Sequence, residues 1–283
     1  MINNKNKDRL FAFIFGREEN KAWTLDLYNA VNGTAYSDPS EIELNTMSDT
    51  VYMGRKNDVS FIMCGTMNLY EHQSAYNPNM PLRQLMYAGR LYDKHIKQKK
   101  QNIYSKKIIE IPMPKLVVFY NGTYDEPDEV ILELKDSFPQ GLDPAESDIQ
   151  VRARMLNINK GHNKELMKKC RPLLEYSKFI AGIRQNKQTC ETIEAAIDKA
   201  LEELPEDSLL HDFLLGNKAE VKNMCITEYN EEETMEMFKQ EFKEDGQQEL
   251  AATIKSLRSG TSESVLLESG IKQETIDLAK SCL

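Results

Sequence analysis

The sequence lacks several features that would assign it at once to a familiar class. No apolar run approaches the roughly 18 residues that a membrane-spanning helix needs, and the polar start, MINNKNKDRL, does not suit a secretory signal. A P-loop, a GxGxxG motif after a strand and a GxSxG elbow are also missing, which argues against the classes that those motifs define. We therefore expect a cytoplasmic protein with no membrane segment.

Cysteine chemistry is also sparse. The five cysteines, at positions 64, 170, 190, 225 and 282, are odd in number and form no CxxC pair. This spacing indicates neither a disulfide framework nor a zinc ribbon, so reduced and mostly structural thiols are expected. At 283 residues, the chain is long enough for one large domain and an appendage.

The charge of the chain is unevenly distributed. The net charge is −9, and residues 226–250 hold nine acids and two bases. By contrast, residues 90–107 hold seven bases and one acid, and residues 151–187 hold ten bases and two acids. Such blocks indicate a surface for an anionic partner and a separate acidic segment. Ordinary solvated helix faces are the alternative for each basic block.

A hairpin is predicted around Gly65 and Thr66. Apolar-rich runs flank this pair, which is typical of a two-residue turn of type II′. With these two residues in the turn, Asp58 pairs with Gln73. Because cross-strand partners share a face and side chains alternate along a strand, Asp58, Glu71 and Gln73 are predicted to lie on one side of the sheet.

Two carboxylates on adjacent strands repel each other unless a cation lies between them. Hard divalent cations such as Mg²⁺ or Mn²⁺ favour such oxygen ligands, so Asp58 and Glu71 form a candidate metal site. The alternative is a strand that starts at a turn, with a solvated sheet face. By the same alternation, the side chain of His72 points the other way and is predicted to be a packed or hydrogen-bonded core histidine.

A two-faced helix is predicted from Pro81 to about residue 100. The face expected to pack on the sheet is apolar and carries Leu82, Leu85, Met86, Gly89 and Ile96. The opposite face is basic and aromatic, could contact a nucleic-acid backbone, and carries Arg83, Tyr87, Arg90, Lys94 and Lys97. A helix that merely faces water is the alternative.

The remaining periodicity predicts an α/β fold, a mixed sheet flanked by helices and followed by an α-helical extension. An opening helix over residues 8–31 is kinked or ended at Gly16 and stopped at Gly33. Strands are predicted at 41–44, 51–54, 108–113, 115–120, 130–134 and 153–158. Further helices are predicted at 163–170, 172–185, 189–204, 209–223 and 231–257, followed by two short ones around Gly270.

Three domains are predicted: a core at 1–225, an acidic helical connector at 226–258 and a small helical module at 259–283. The last resembles the start of a helix-turn-helix unit, and a packing or dimerisation module explains it equally well. The acidic segment either covers the basic faces as a mimic of DNA or mediates self-association.

The order Asp58, turn, Glu71-His72-Gln73 resembles the PD-(D/E)XK nuclease superfamily, and in particular its recombination-promoting nuclease and transposase-like branch, where Gln replaces the usual Lys. Three further blocks carry the same resemblance: DRLFAFIFGREENK, RQLMYAGRLY and LNINKGHNKELMKKCRPLLEYSKFIAGIR. The resemblance implies a restriction-endonuclease-like core and a magnesium-dependent DNA endonuclease. A homodimer would suit double-strand cleavage.

The resemblance also implies roles for single residues. The backbone carbonyl of His72 joins the metal ligands. Asp8, three residues before Phe11, supplies a further acid from the opening helix, with Glu18 and Glu19 as nearby competitors. A helix-start acid is the alternative for Asp8.

The helix after the hairpin runs beside the site in the resembled family, so Arg83 and Tyr87 are expected to touch the scissile region. Gln73 can orient a water molecule but cannot act as a base, which leaves the strength of catalysis open. A nuclease fold without catalysis, serving as a nucleic-acid-binding or assembly module, is the alternative function.

Overall fold

The computed structural model describes residues 10–45, 58–259 and 261–281, without the side chains of residues 58, 231–245, 248 and 268. The chain divides into two compact units, Met1–Glu228 and Tyr229–Leu283. The predicted strand at 51–54 and Asp8 lie outside the described residues.

A six-stranded mixed sheet forms the centre of the first unit. Its strands are β1 (Glu43–Leu44), β2 (Asp58–Met63), β3 (Thr66–Gln73), β4 (Met113–Tyr120), β5 (Glu129–Glu133) and β6 (Arg152–Asn157). They lie in the order β1-β2-β3-β4-β6-β5. The β3–β4 and β4–β6 pairs are parallel, and the remaining pairs are antiparallel. The carboxyl ends of β3, β4 and β6 therefore share one edge of the sheet.

Helices account for most of the other elements. The first unit contains α1 (Leu10–Phe15), α2 (Lys21–Asn32), α3 (Met80–Gln98), α4 (Lys164–Lys169), α5 (Arg171–Lys187), α6 (Ile193–Glu202) and α7 (His211–Gly216). A long helix, α8 (Lys218–Arg258), begins in the first unit and ends in the second. The second unit also contains α9 (Glu263–Glu268) and α10 (Gln273–Ser281), with Gly270 between them at a φ of 92°.

The two faces of the sheet pack against different helices. Buried side chains of α1, α2, α4 and α5 form one apolar cluster with Phe61, Tyr70 and Phe119 of the sheet. On the opposite face, α3 packs through Ala88 and Leu91 onto neighbouring apolar side chains of β3. This layering confirms the α/β class that the sequence predicts.

Two glycines end the first two helices. A Cβ at Gly16 would lie 2.7 Å from the carbonyl oxygen of Ala12, so this glycine permits the tight end of α1. Gly33 has a φ of 67° and donates its N–H to the carbonyl of Asn29, as expected of a left-handed helix cap. Of the alternatives for Gly16, an end of the helix is therefore the correct one.

Two predictions of secondary structure were wrong. Residues 108–112 form no strand, and the ladder starts at Met113, whose N–H donates to the carbonyl of Gly65 at 2.9 Å. The helix predicted at 209–223 divides at Asn217, where the side-chain Nδ2 donates to the carbonyl of Phe213 at 2.8 Å. In both places a local backbone partner overrides the apolar pattern.

The hairpin turn also differs from the prediction. Cys64 and Gly65, not Gly65 and Thr66, occupy the turn, and both have positive φ, 48° and 72°, as in a type I′ turn. Asp58 is consequently paired with Glu71 rather than with Gln73. A shift of two residues leaves every side chain on its predicted face, because the strand repeat is two.

Candidate metal centre and nucleic-acid interface

The backbone register brings the two predicted acidic positions together. Asp58 is directly opposite Glu71 in the β2–β3 ladder. The carbonyl of Ser60 accepts from the N–H of Asn45, so the hydrogen-bonding groups of alternate β2 residues, including Asp58, face β1. Positions 58 and 71 thus form a non-hydrogen-bonded pair, the kind whose Cα atoms lie only about 4.5 Å apart.

The carboxylate of Glu71 is buried and held by two donors. Its side chain is only 7% exposed. Gln73, two residues along the same face of β3, donates Nε2–H to Oε1 at 2.5 Å, and Arg83 from the first turn of α3 donates Nη2–H to the same oxygen at 2.5 Å. A buried carboxylate needs such compensation, because desolvation of an unpaired charge costs several kcal/mol.

The carbonyl of His72 points toward the same corner of the sheet. The carbonyl of Gln73 accepts from the N–H of Asn121 at 2.8 Å and so faces β4. Successive carbonyls alternate along a strand, so that of His72 faces the β2 side, where the described part of β2 begins at Asp58. Carboxylate and carbonyl oxygens are the donors that Mg²⁺ and Mn²⁺ prefer, so this donor set fits the implied metal.

The side chain of His72 belongs to the core, as predicted. It is 2% exposed, shares a 2.9 Å hydrogen bond between Nε2 and the hydroxyl of Tyr176, and stacks on Phe11 with ring centroids 5.5 Å apart. It lies on the opposite face of β3 from Glu71. Only its backbone carbonyl therefore remains a candidate ligand.

The orientation of α3 differs from the prediction. Leu82 and Met86, assigned to the packed face, are each 43% exposed, and Gly89 is exposed too. The sheet instead receives Gln84, whose Nε2 donates to the carbonyl of Val117 at 3.2 Å, along with Ala88 and Leu91. Counting apolar residues missed this rotation because a polar side chain that finds a backbone acceptor can occupy a buried position.

The basic face of α3 consequently borders β2 and β3. Tyr87 and Ser60 share a hydroxyl hydrogen bond of 3.4 Å, and Nζ of Lys94 donates to the carbonyl of Asn45 at 3.1 Å. Arg90 is half-buried, while Lys97 is exposed and pairs with Asp93 at 2.6 Å. The predicted contacts Arg83, Tyr87, Arg90 and Lys94 thus follow one side of α3 next to the acidic pair, and Lys97 extends the row into solvent.

Phe11, the aromatic residue that follows Asp8 in the opening helix, is fully buried in the core. Glu18 and Glu19, the two competitors of Asp8, lie at the surface. Glu18 pairs with Lys21 at 2.8 Å and Glu19 pairs with Arg17 at 3.0 Å. Their carboxylates are therefore already matched by neighbouring bases on the surface. The role of Asp8 itself stays a prediction.

Sequence reasoning missed the support behind Gln73. Arg184 of α5 donates to both the backbone carbonyl and the side-chain oxygen of Asn121, at 2.5 and 2.8 Å, and to Oδ1 of Asn159 at 3.0 Å. Asn121 in turn donates its N–H to Gln73. The available signal was an Asn directly after each of the strands predicted at 115–120 and 153–158, at the edge where open α/β sheets place their sites.

A search of the described side chains finds no group of three or more His, Cys, Asp or Glu residues arranged to hold a metal.

Comparison of the chain with protein-family models, with curated proteins and with solved structures finds no match. Within the described residues, no helix is both long and apolar enough to cross a membrane. The resemblance to the PD-(D/E)XK superfamily stays a prediction that rests on the sequence blocks quoted above.

Proposed function

We propose that this chain is a metal-dependent DNA endonuclease, a phosphodiester hydrolase of the recombination-promoting, transposase-like kind, built on a restriction-endonuclease-like sheet. The observation that carries the proposal is the direct opposition of Asp58 and the buried Glu71 in the β2–β3 ladder. Two acidic positions in a close antiparallel pair repel each other. Arg83 offsets the charge of Glu71 through one oxygen, and a metal between the two positions would offset both.

Asp58, Glu71 and the carbonyl of His72 would hold Mg²⁺ or Mn²⁺. Such an ion, when bound, polarises the phosphoryl group and lowers the pKa of a coordinated water. Gln73 uses Nε2–H to fix the carboxylate of Glu71, which leaves its amide oxygen to accept from the attacking water. Because an amide carries no charge and cannot take up a proton, its contribution is orientation.

Arg83 and the residues that follow it bind and orient the substrate. A guanidinium has five N–H donors, so Arg83 can retain Glu71 and still donate to a phosphate oxygen. Its side chain is 36% exposed, which leaves it accessible from solvent. Tyr87, Arg90 and Lys94 continue this track along α3, and phosphate contacts at such positions set the register of DNA without reading its sequence.

Plasmid nicking tests the proposal. Asp58→Asn and Glu71→Gln are assayed on supercoiled DNA with Mg²⁺ or Mn²⁺. Each should lower the cleavage rate at least about a hundredfold, because each removes a charged ligand of a metal that would stabilise the transition state by several kcal/mol. Glu165→Gln, which removes an exposed acid paired with Lys168, is the control and should leave the rate unchanged. Cleavage at the wild-type rate in both site variants would reject the assignment.

A nucleic-acid-binding or assembly protein without catalysis is the second candidate. Two observations favour it: Gln73 stands where a charged Lys is usual, and Arg83 already holds an oxygen that a metal would need. Calorimetry with Mn²⁺ separates the two candidates. DNA binding with steep salt dependence, but neither metal binding nor cleavage, would support the second. A cytoplasmic location and a homodimer stay predictions from the sequence.

A further inference from the structure

The connection between α3 and β4 combines positive charge with exposed apolar side chains. We call residues 99–113 the basic loop. It contains four lysines, Lys99, Lys100, Lys106 and Lys107, against the single acid Glu110, in a chain whose net charge is −9. Every residue from 97 to 108 is exposed, and Tyr104 and Ile108 are 89% and 95% exposed. Further exposed apolar side chains in the loop are Ile103, Ile111 and Met113.

The basic loop is tied down at both ends. At its start, the N–H of Lys100 donates to the carbonyl of Lys97, and that of Gln101 donates to Ile96, the paired bonds of a Schellman cap. At its end, the hydroxyl of Tyr92 donates to the carbonyl of Pro112 at 2.9 Å. Lys100 itself has a φ of 52°, a conformation that glycine adopts at lower cost. A lysine is present there despite that preference.

A turn holds the middle of the loop. Oδ1 of Asn102 accepts from the N–H of Tyr104 at 3.0 Å, and its carbonyl accepts from the N–H of Ser105 at 3.0 Å. This Asx turn gives the backbone at Tyr104 two local hydrogen bonds while leaving its ring in solvent. A group of exposed apolar side chains is typical of a surface that becomes covered on binding.

The charge of the loop selects its partner. Four lysines against one acid suit a polyanion, and duplex DNA provides both phosphates for lysines and base steps for apolar side chains. Position along α3 agrees with this, because the row from Arg83 to Lys97 leads from Glu71 to the loop. Sixteen residues of helix separate Arg83 from Lys99, about 24 Å at 1.5 Å per residue, or about seven base pairs.

We propose that the basic loop is a second contact with duplex DNA, about seven base pairs from the contact made by Arg83, with α3 lying along the duplex. Lys99, Lys100, Lys106 and Lys107 bind phosphates, while Tyr104 and Ile108 insert at a base step and unstack it. This inference rests on the proposed function only in taking DNA as the substrate, and it requires no cleavage.

Fluorescence anisotropy with a labelled duplex in EDTA tests the lysines in the full chain. Changing all four to Gln should lower affinity at least about tenfold at 0.1 M salt and reduce the slope of log affinity against log salt by about three to four. The matched control removes four exposed lysines elsewhere, Lys135, Lys199, Lys255 and Lys272, and should change the slope by less than about one. Equal losses in the two quadruple variants would overturn the proposal.

The apolar residues are tested separately. Tyr104→Ser combined with Ile108→Ser should weaken binding at least about fivefold with an unchanged salt slope. A duplex containing 2-aminopurine should brighten when wild-type protein unstacks the probe, and this signal should vanish in the double variant. Leu142→Ser with Leu278→Ser, at two other exposed apolar positions, is the control and should retain it. No brightening with wild-type protein at any probe position would refute insertion.

The two proposals can fail independently. Loop-dependent binding without cleavage in Mg²⁺ or Mn²⁺ supports this inference and rejects the endonuclease. Cleavage that needs Asp58 and Glu71, with loop variants binding as wild type does, rejects this inference alone. A loop variant that alters self-association in sedimentation while DNA affinity stays constant would assign the loop to a second copy of the chain. Thermal unfolding of each variant confirms that it is folded.

Discussion

At the carboxyl end of β3 the two faces are both buried but differ in their chemistry. On one face lie Tyr70 and His72, 0% and 2% exposed, and on the other lie Glu71 and Gln73, 5% and 9% exposed. Burial raises the pKa of the Tyr70 hydroxyl, which accepts a hydrogen bond from Asn32, so this group stays neutral. The opposite face instead holds a carboxylate matched by a guanidinium.

Burial therefore does not separate structural residues from candidate functional ones in this sheet. The two faces differ in how their buried polar groups are paired. Aromatic packing and a neutral hydrogen bond on the His72 face lie within the fold and stabilise it. A buried ion pair, as on the Glu71 face, is weak evidence for stability, because desolvation offsets much of its attraction. Under the proposed function, a bound metal and DNA would give this pair its role.

The largest expected effect breaks the aromatic face. Phe11 contacts His72, Phe119 and Tyr176 and is fully buried, so Phe11→Ala should lower the free energy of unfolding by about 3–5 kcal/mol. Denaturant titration measures the change, with the exposed Leu142→Ala as a control expected within about 0.5 kcal/mol of wild type. A loss below about 1 kcal/mol would show that this face is not the stabilising one.

A smaller effect is expected from one hydrogen bond on the same face. Tyr176→Phe keeps the packing of the ring but removes the hydroxyl that pairs with Nε2 of His72. The free energy of unfolding should fall by about 1–2 kcal/mol, because a buried nitrogen loses a partner. DNA cleavage per folded molecule should not change. A large loss of cleavage with unaltered stability would move His72 from the core to the site.

Alternation along strands explains why the acidic pair was predictable. A register error of two residues did not move Glu71, whose face depends only on whether its position is odd or even. The turn itself was not predictable from Gly65 alone, because it required a positive φ at Cys64, which is uncommon for a residue with a Cβ.

The details of α3 and of the support behind the site depend on contacts remote in sequence. Gln84 is buried because a carbonyl of β4 accepts from it, and Arg184 reaches Asn121 across 63 positions. Local periodicity carries no information about either partner. The helix was therefore located correctly while its packed face was predicted wrongly.

The smallest expected effect tests the charged face. Arg83→Gln removes the guanidinium that shares Oε1 of Glu71. Affinity for Mn²⁺ should rise about three- to tenfold, since a positive charge next to the carboxylate opposes binding of a cation, while affinity for DNA should fall. Calorimetry and anisotropy measure the two. A fall in Mn²⁺ affinity would show that Arg83 positions Glu71 for the metal rather than competing with it.

The two-residue Cys64–Gly65 turn fixes which side chains of β3 lie on each face of the sheet. Losing or gaining a single residue there would exchange the two sides of β3, sending an imidazole to the acidic corner and a carboxylate into the aromatic layer. Insertions or deletions of two residues in this turn should therefore be tolerated, whereas those of a single residue should prevent correct folding.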